Sequence, residues 1–295
     1  MRRILTIGNS FANNATCYIH ELQRHADRTP IRLAKANLGG CSLQKHWNLL
    51  EQCRQLPDLR PYDAMVNAEV LGPRTLEDLL VEEPWDYVTL QQASVLSWEE
   101  STYQPWGDKL ARRVRELAPQ AAVVVHQTWA YQVDAPELRA FGLDQAGMFE
   151  RLKAAYDAFA ERLGAPVIPT GDAFQRARAQ LNYRRDPDFD FEHPVPPQLP
   201  DQTGSLHAGY FWDTGNTASG RAELLLDGRH CNALGCYLGN AVWWECFTGQ
   251  PAAENPFCPP EIDADTRAIL TVAAHAAVAE AGGPLVDDAA VSEDQ

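Results

Sequence analysis

This sequence predicts an α/β fold built on a parallel sheet, and three observations carry the prediction. Short β-branched runs alternate with helical patterns along the chain, the order that produces parallel strands joined by crossover helices. One run, Ala-Ala-Val-Val-Val-His-Gln at 121–127, is continuously apolar, as a strand covered on both faces must be. The chain has 295 residues, 45% of them hydrophobic, enough to bury one large core. Right-handed crossovers then place helices on both faces of the sheet, giving a three-layer α/β/α sandwich.

In chain order, strands are expected at residues 4–7, 31–36, 87–90, 121–127 and 166–169. Helices are expected at 12–24, 75–82, 104–117, 145–163, 172–181 and 233–247. Thr75 and Asp78 form a capping-box pattern before Leu76, Leu79 and Leu80, and Asp172 stands where a helix cap would. Residues 41–74, with Trp47, Pro57, Pro61 and Gly72, read as a loop, short helix or hairpin over the carboxyl edge of the sheet. Residues 183–222 are dense in Pro and Gly but also hold Phe189, Phe191, Tyr210, Phe211 and Trp212, which favours an ordered, loop-rich insertion. One domain is expected over 1–282, with 283–295 a flexible acidic tail.

Two segments carry chemistry. Ile4-Leu5-Thr6-Ile7-Gly8-Asn9-Ser10-Phe11 is a strand that stops at Gly-x-Ser and turns directly into a helix. Such a turn presents a hydroxyl at the carboxyl edge of a sheet, where nucleophiles are displayed, although Ser10 alone reads equally as a helix cap. Far along the chain, Asp227-Gly228-Arg229-His230 is expected on a short loop before a helix. An acid three residues before a histidine can fix its tautomer and leave the other ring nitrogen free for a serine. Alone, this is also a plain Asp-Gly turn.

The two segments together resemble the SGNH (GDSL-type) hydrolase superfamily. Its nucleophile block stands here as Gly8-Asn9-Ser10-Phe11 and its last block as Asp227 to His230. The pattern, with Trp85-Asp86-Tyr87 before a glutamine pair, looks closest to a branch left as a domain of unknown function. The resemblance spans roughly residues 4–250. It implies a flavodoxin-like α/β/α sandwich with a five-stranded parallel sheet, and a serine esterase that forms an acyl-enzyme. Ser10 would be the nucleophile, His230 the base and Asp227 its orienter. The oxyanion donors would be the N–H of Ser10, the N–H of Gly40 in the Asn37-Leu38-Gly39-Gly40 block, and a Gln side chain. The superfamily's usual Asn is missing from the third block, where Gln91 and Gln92 stand. Some sugar-acetylesterase branches use Gln there, and strand alternation favours Gln91 over Gln92. The implied substrate is a small-molecule or oligosaccharide ester, most of all an O-acetyl group on a carbohydrate. The alternatives are a lipase- or thioesterase-like enzyme with a longer acyl group, and an inactive carbohydrate-binding relative.

Weaker candidates surround these. His126 and Trp129 follow the fourth strand and could contact substrate. Trp98, Trp106 and Trp212 could stack on sugar rings, whereas Trp243 and Trp244 read as core. Asn13 or Asn14 could stabilise the start of the first helix. His193, His207 and Asp213 match no ligand spacing, so no metal is expected, and no cofactor is implied. The net charge of −15, without any Lys/Arg cluster, excludes a nucleic-acid partner. No apolar stretch is long enough for a membrane span. The seven cysteines form no framework; with no leader-like N-terminus, a cytoplasmic protein with reduced thiols is expected.

Overall fold

The structure is a computed structural model and describes residues 1–26, 30–67, 69–215 and 222–286. The main sheet contains β1 (Arg2–Gly8), β2 (Ile31–Asn37), β3 (Tyr62–Val66), β4 (Glu69–Arg74), β5 (Tyr87–Leu90), β6 (Ala122–His126) and β7 (Val167–Ile168), in the order β4-β3-β2-β1-β5-β6-β7. The expected five parallel strands are its core: β2, β1, β5, β6 and β7 pair parallel throughout. The sheet is wider than expected because β3 and β4 add an antiparallel hairpin beyond β2. That hairpin occupies the second half of the stretch whose structure was open between loop, helix and hairpin.

Ile4, Leu5 and Ile7 of β1 are fully buried, as are Val124 and Val125 of β6, because helices cover both faces. One layer holds α3 (Leu43–Gln55), α4 (Leu76–Glu82), α5 (Trp106–Leu117) and α7 (Gln145–Leu163). The other holds α1 (Ser10–Ala15), α2 (Ile19–Arg24), α8 (Thr170–Leu181), α9 (Ala233–Thr248) and α10 (Ala264–Glu280); the short α6 (Pro136–Phe141) follows β6. The Thr75–Asp78 capping box is formed in full. From Gly235 to Thr248 every residue of α9 is buried, so Trp243 and Trp244 are core. A helix apolar on all sides belongs in the interior.

Three local expectations are corrected. The single helix expected at 12–24 is two, α1 and α2. Thr16 bonds back to the Ala12 carbonyl at 2.7 Å, and the Tyr18 N–H is captured by Asn240 Oδ1 at 2.8 Å. Side-chain competition of this kind ends a helix. Asp172 does not cap α8, which begins at Thr170; its carboxylate accepts instead from Gln127 and Lys153. The Asp227–His230 segment is not a loop but the end of β9 (Glu223–Cys231), paired antiparallel with β8 (His207–Asp213). Residues 183–206 hold no helix or strand; 216–221 of that insertion, and 287–295 of the acidic tail, lie outside the described residues. Among the described residues no helix is long and apolar enough to cross a membrane.

Candidate active site

The strand order reverses direction at β1, with β2 on one side and β5 on the other. Open parallel sheets bind ligands at such a switch point, beyond the carboxyl ends of the strands. Ser10 emerges there as the first residue of α1. The helix cap is not Ser10 but Asn9, whose Oδ1 accepts from the Phe11 N–H at 3.0 Å. Asn9 is 1% exposed and also ties down two neighbouring loops: its Nδ2 donates to the Cys41 carbonyl at 3.1 Å, and its Oδ1 accepts from Gln91 Nε2 at 2.8 Å. With Asn9 as the cap, the Ser10 hydroxyl is not needed to start the helix.

That hydroxyl meets His230. Ser10 Oγ lies 2.8 Å from His230 Nε2, and His230 Nδ1 lies 2.8 Å from Asp227 Oδ2. Asp227 Oδ1 accepts from the backbone N–H groups of Arg229 and His230 at 3.1 and 3.0 Å. Burial pushes the Asp227 carboxyl up, but the bonds from the His230 backbone and ring outweigh it and hold the group below its usual range. An ionised Asp227 facing Nδ1–H leaves Nε2 as an acceptor for the serine proton.

The expected partners of this trio divide. Asn14 does not serve the start of α1; its Oδ1 accepts from the Cys231 N–H at 3.1 Å and clamps β9 beside the nucleophile helix. Asn13 likewise reaches across to Asn37. Gly40, exposed and at φ +60, lies in a turn held against the nucleophile segment. Leu38 donates to the Gly8 carbonyl at 3.1 Å and Asn9 to Cys41. A positive φ is the conformation glycine adopts at no cost.

Neither glutamine fits the oxyanion role expected of it. Gln91 is fully buried and its amide donates to Asn9 Oδ1 and to the Gln92 carbonyl. Gln92, also fully buried, donates to Thr102 and accepts from Leu43 and Ala93. Their N–H groups are spent on fixing the surrounding loops.

His126 and Trp129 are corrected as substrate contacts, because both are fully buried. His126 packs edge-on to Trp243, whose indole N–H points at its Nε2 at 3.3 Å, and burial pushes it down to about 3. Trp129 is stacked between Phe11 (4.4 Å) and Phe174 (4.5 Å), and its indole donates to the Arg229 carbonyl at 2.9 Å. It therefore backs the strand that carries His230. Trp212 stands three rungs from Asp227 along the β8–β9 ladder, with its indole N–H on the Gln198 carbonyl. Trp98 packs on Phe141, and Trp106 faces the Lys109 ammonium.

The sequence reading missed His46. It is fully buried on α3, one turn past the Ser42 cap. Nε2 contacts the Gly8 carbonyl at 3.0 Å and Nδ1 the Tyr62 hydroxyl at 2.8 Å. Burial pushes it down to about 4, so it stays neutral, donating to Gly8 and accepting from Tyr62. No motif announces it, because its partners lie on β1 and on β3, in a stretch whose structure the sequence left open. Asn9 did carry a signal: an Asn directly before a helix start is a cap.

No curated protein matches the chain. Among solved structures, a DUF4886 family protein from Bacteroides uniformis shares 26% identity, over 94% of this chain and 95% of that chain, with a TM-score of 0.70. Weaker likenesses include an SGNH hydrolase candidate from Slackia heliotrinireducens (21% identity, 83% of this chain and 97% of that one, TM-score 0.47). Another is an acetylxylan esterase from Geobacillus stearothermophilus (11% identity, 83% and 93%, TM-score 0.44). The family comparison matches residues 3–192, from the first strand past the glutamine pair. The chain belongs to the DUF4886 family, a domain of unknown function.

Proposed function

We propose that this chain is a serine esterase of the SGNH type, cleaving a carboxyl ester and most of all an O-acetyl group on a carbohydrate. One observation carries the reading. Ser10, His230 and Asp227 form an unbroken hydrogen-bonded line, and the first two stand 220 residues apart in sequence. His230 takes the Ser10 proton as Oγ attacks the ester carbonyl, then returns it to the departing alcohol. The backbone N–H groups of Ser10 and Gly40 receive the oxyanion. Water activated by the same imidazole then hydrolyses the acyl-enzyme and releases the acid.

The cleft beside Asp227 supports a polar leaving group over a long acyl chain. It measures about 650 Å³, and Tyr210, Phe211 and Phe191 share its walls with three arginines and with Leu224, Leu225 and Leu226. An aliphatic tunnel would suit a fatty chain; rings and guanidiniums suit a saccharide. The test is acetate release from a panel of acetylated saccharides and from 4-nitrophenyl acetate, with fluorophosphonate labelling of wild type and Ser10→Ala. Labelling and turnover in the wild type alone are expected. Equal turnover by both proteins would remove Ser10 as nucleophile, and activity confined to long-chain esters would remove the acetyl-sugar reading.

A further inference from the structure

The same cleft has a charge opposite to that of the chain as a whole. Over 295 residues the net charge is −15, yet Arg139, Arg185 and Arg229 line this one cavity. Its two acids are already engaged. Asp134 accepts from Gln132 at 2.8 Å, from Tyr210 at 2.9 Å and from Tyr183 at 3.2 Å. Asp227 is held by His230 and two backbone N–H groups. Two of the three guanidiniums are not matched in this way. Among the described residues Arg139 and Arg185 pair with no carboxylate, and Arg185 lies over the Phe191 ring at 3.6 Å. Arg229 is already ion-paired, its Nε 3.5 Å from Glu137 Oε1, although neither Arg229 Nε nor Glu137 Oε2 has a hydrogen-bond partner.

A planar guanidinium recognises carboxylate and phosphoryl oxygens in pairs. We propose that this cleft is an anion subsite that holds an acidic group, carboxylate or phosphoryl, on the alcohol portion of the ester. The position suits that task. Asp227 lines the cleft, and one imidazole ring flanked by two hydrogen bonds separates its carboxylate from the Ser10 hydroxyl. An alcohol anchored by the arginines would have to span the width of that imidazole to bring its ester to Ser10. The substrate class becomes an acylated acidic saccharide, or an acylated alcohol of similar charge. This inference rests on the esterase reading for its chemistry, but its binding component can be measured separately.

Two esters of one shape test it: 4-acetoxybenzoate and its neutral counterpart methyl 4-acetoxybenzoate. The ratio of their kcat/KM values is measured in wild type and in the Arg139→Gln, Arg185→Gln double variant. A few-fold contribution from each of the two exposed arginines gives an expected fall of about tenfold in that ratio. A ratio unchanged within twofold overturns the subsite. If wild type turns over neither ester, the esterase reading is what suffers, and binding decides the subsite by itself. Benzoate and phenyl phosphate are titrated calorimetrically into Ser10→Ala, with and without the two arginine substitutions. Tighter binding with the arginines intact supports the subsite, and the better of the two probes identifies the acidic group. Binding of neither, or binding that ignores the arginines, overturns it.

Discussion

Replacing Asp227 with Asn changes the carboxylate into a nearly isosteric amide and is expected to remove most of the turnover. The amide oxygen can still accept from the Arg229 and His230 N–H groups, so the end of β9 keeps its shape. The amide nitrogen then faces His230 Nδ1, where the carboxylate oxygen stands at 2.8 Å. Two donors cannot share that contact. The ring must take the tautomer with its proton on Nε2, and Nε2–H cannot accept the Ser10 proton. The charge is lost as well. An imidazolium and a carboxylate about 4 Å apart attract by about 4 kcal/mol at an effective dielectric near 20. The two side chains are 36% and 26% exposed, which trims this to about 2–3 kcal/mol, or about 10²-fold in rate. Adding the wrong tautomer brings the expected loss in kcat toward about 10⁴. The assay is steady-state hydrolysis of 4-nitrophenyl acetate at pH 8, with circular dichroism and Tm confirming the fold. A loss smaller than about tenfold in a folded protein would refute the assignment of Asp227 as the orienting acid.

Other outcomes follow from the same geometry. Gln91→Ala is expected to lower stability by about 2 kcal/mol, because Asn9 Oδ1 loses a buried donor. An oxyanion donor at that position would instead cost about 10²–10³ in kcat with stability intact, and parallel Tm and kcat measurements separate the two. His46→Ala strands the Gly8 carbonyl and the Tyr62 hydroxyl in the core and is expected to cost about 2–4 kcal/mol, read by denaturant unfolding. A cost below about 0.5 kcal/mol would show that His46 does not brace the strand. Acid should destabilise the protein well before its carboxylates titrate. Burial pushes His46 down to about 4, His126 to about 3 and His207 well below its ordinary value. The unfolded chain therefore binds protons below about pH 6.5 that the folded one refuses, and stability falls from there to about pH 4. Three such groups give a slope of up to about 4 kcal/mol per pH unit; a flat Tm between pH 7 and 5 contradicts this.

What the sequence disclosed, and what it hid, divides along physical lines. Strand β5 and helix α7 lie where expected to the residue: α7 is bounded by its Asp144 cap and by Gly164, and β5 is a short apolar run between Asp86 and the glutamine pair. The meeting of Ser10 and His230 was legible through the family resemblance that the two segments carry together, because each alone reads as a helix cap or a turn. Helix α10 went unread because its Ala-rich sequence carries no sharp apolar stripe. The glutamines misled for a different reason. Their types and positions suited the task expected of them, but only tertiary contacts reveal where an amide spends its protons, and Asn9 and Thr102 claim them. Aromatic residues after β6 misled similarly: Trp129 borders the site from inside, a distinction that depends on Phe11 and Phe174 closing over its two faces.

The identity of residue 9 has a consequence for how the protein answers to its surroundings. A carboxylate of the same shape there could receive the Phe11 and Gln91 hydrogens but could offer none to the Cys41 carbonyl. It would also seal a charge at a point only 1% exposed. With an amide in that seat, the hinge under the reactive alcohol is electrically silent. Residue 9 therefore adds no titrating group beside the reactive alcohol, whereas an Asp in its place would lose the bond to the Cys41 carbonyl.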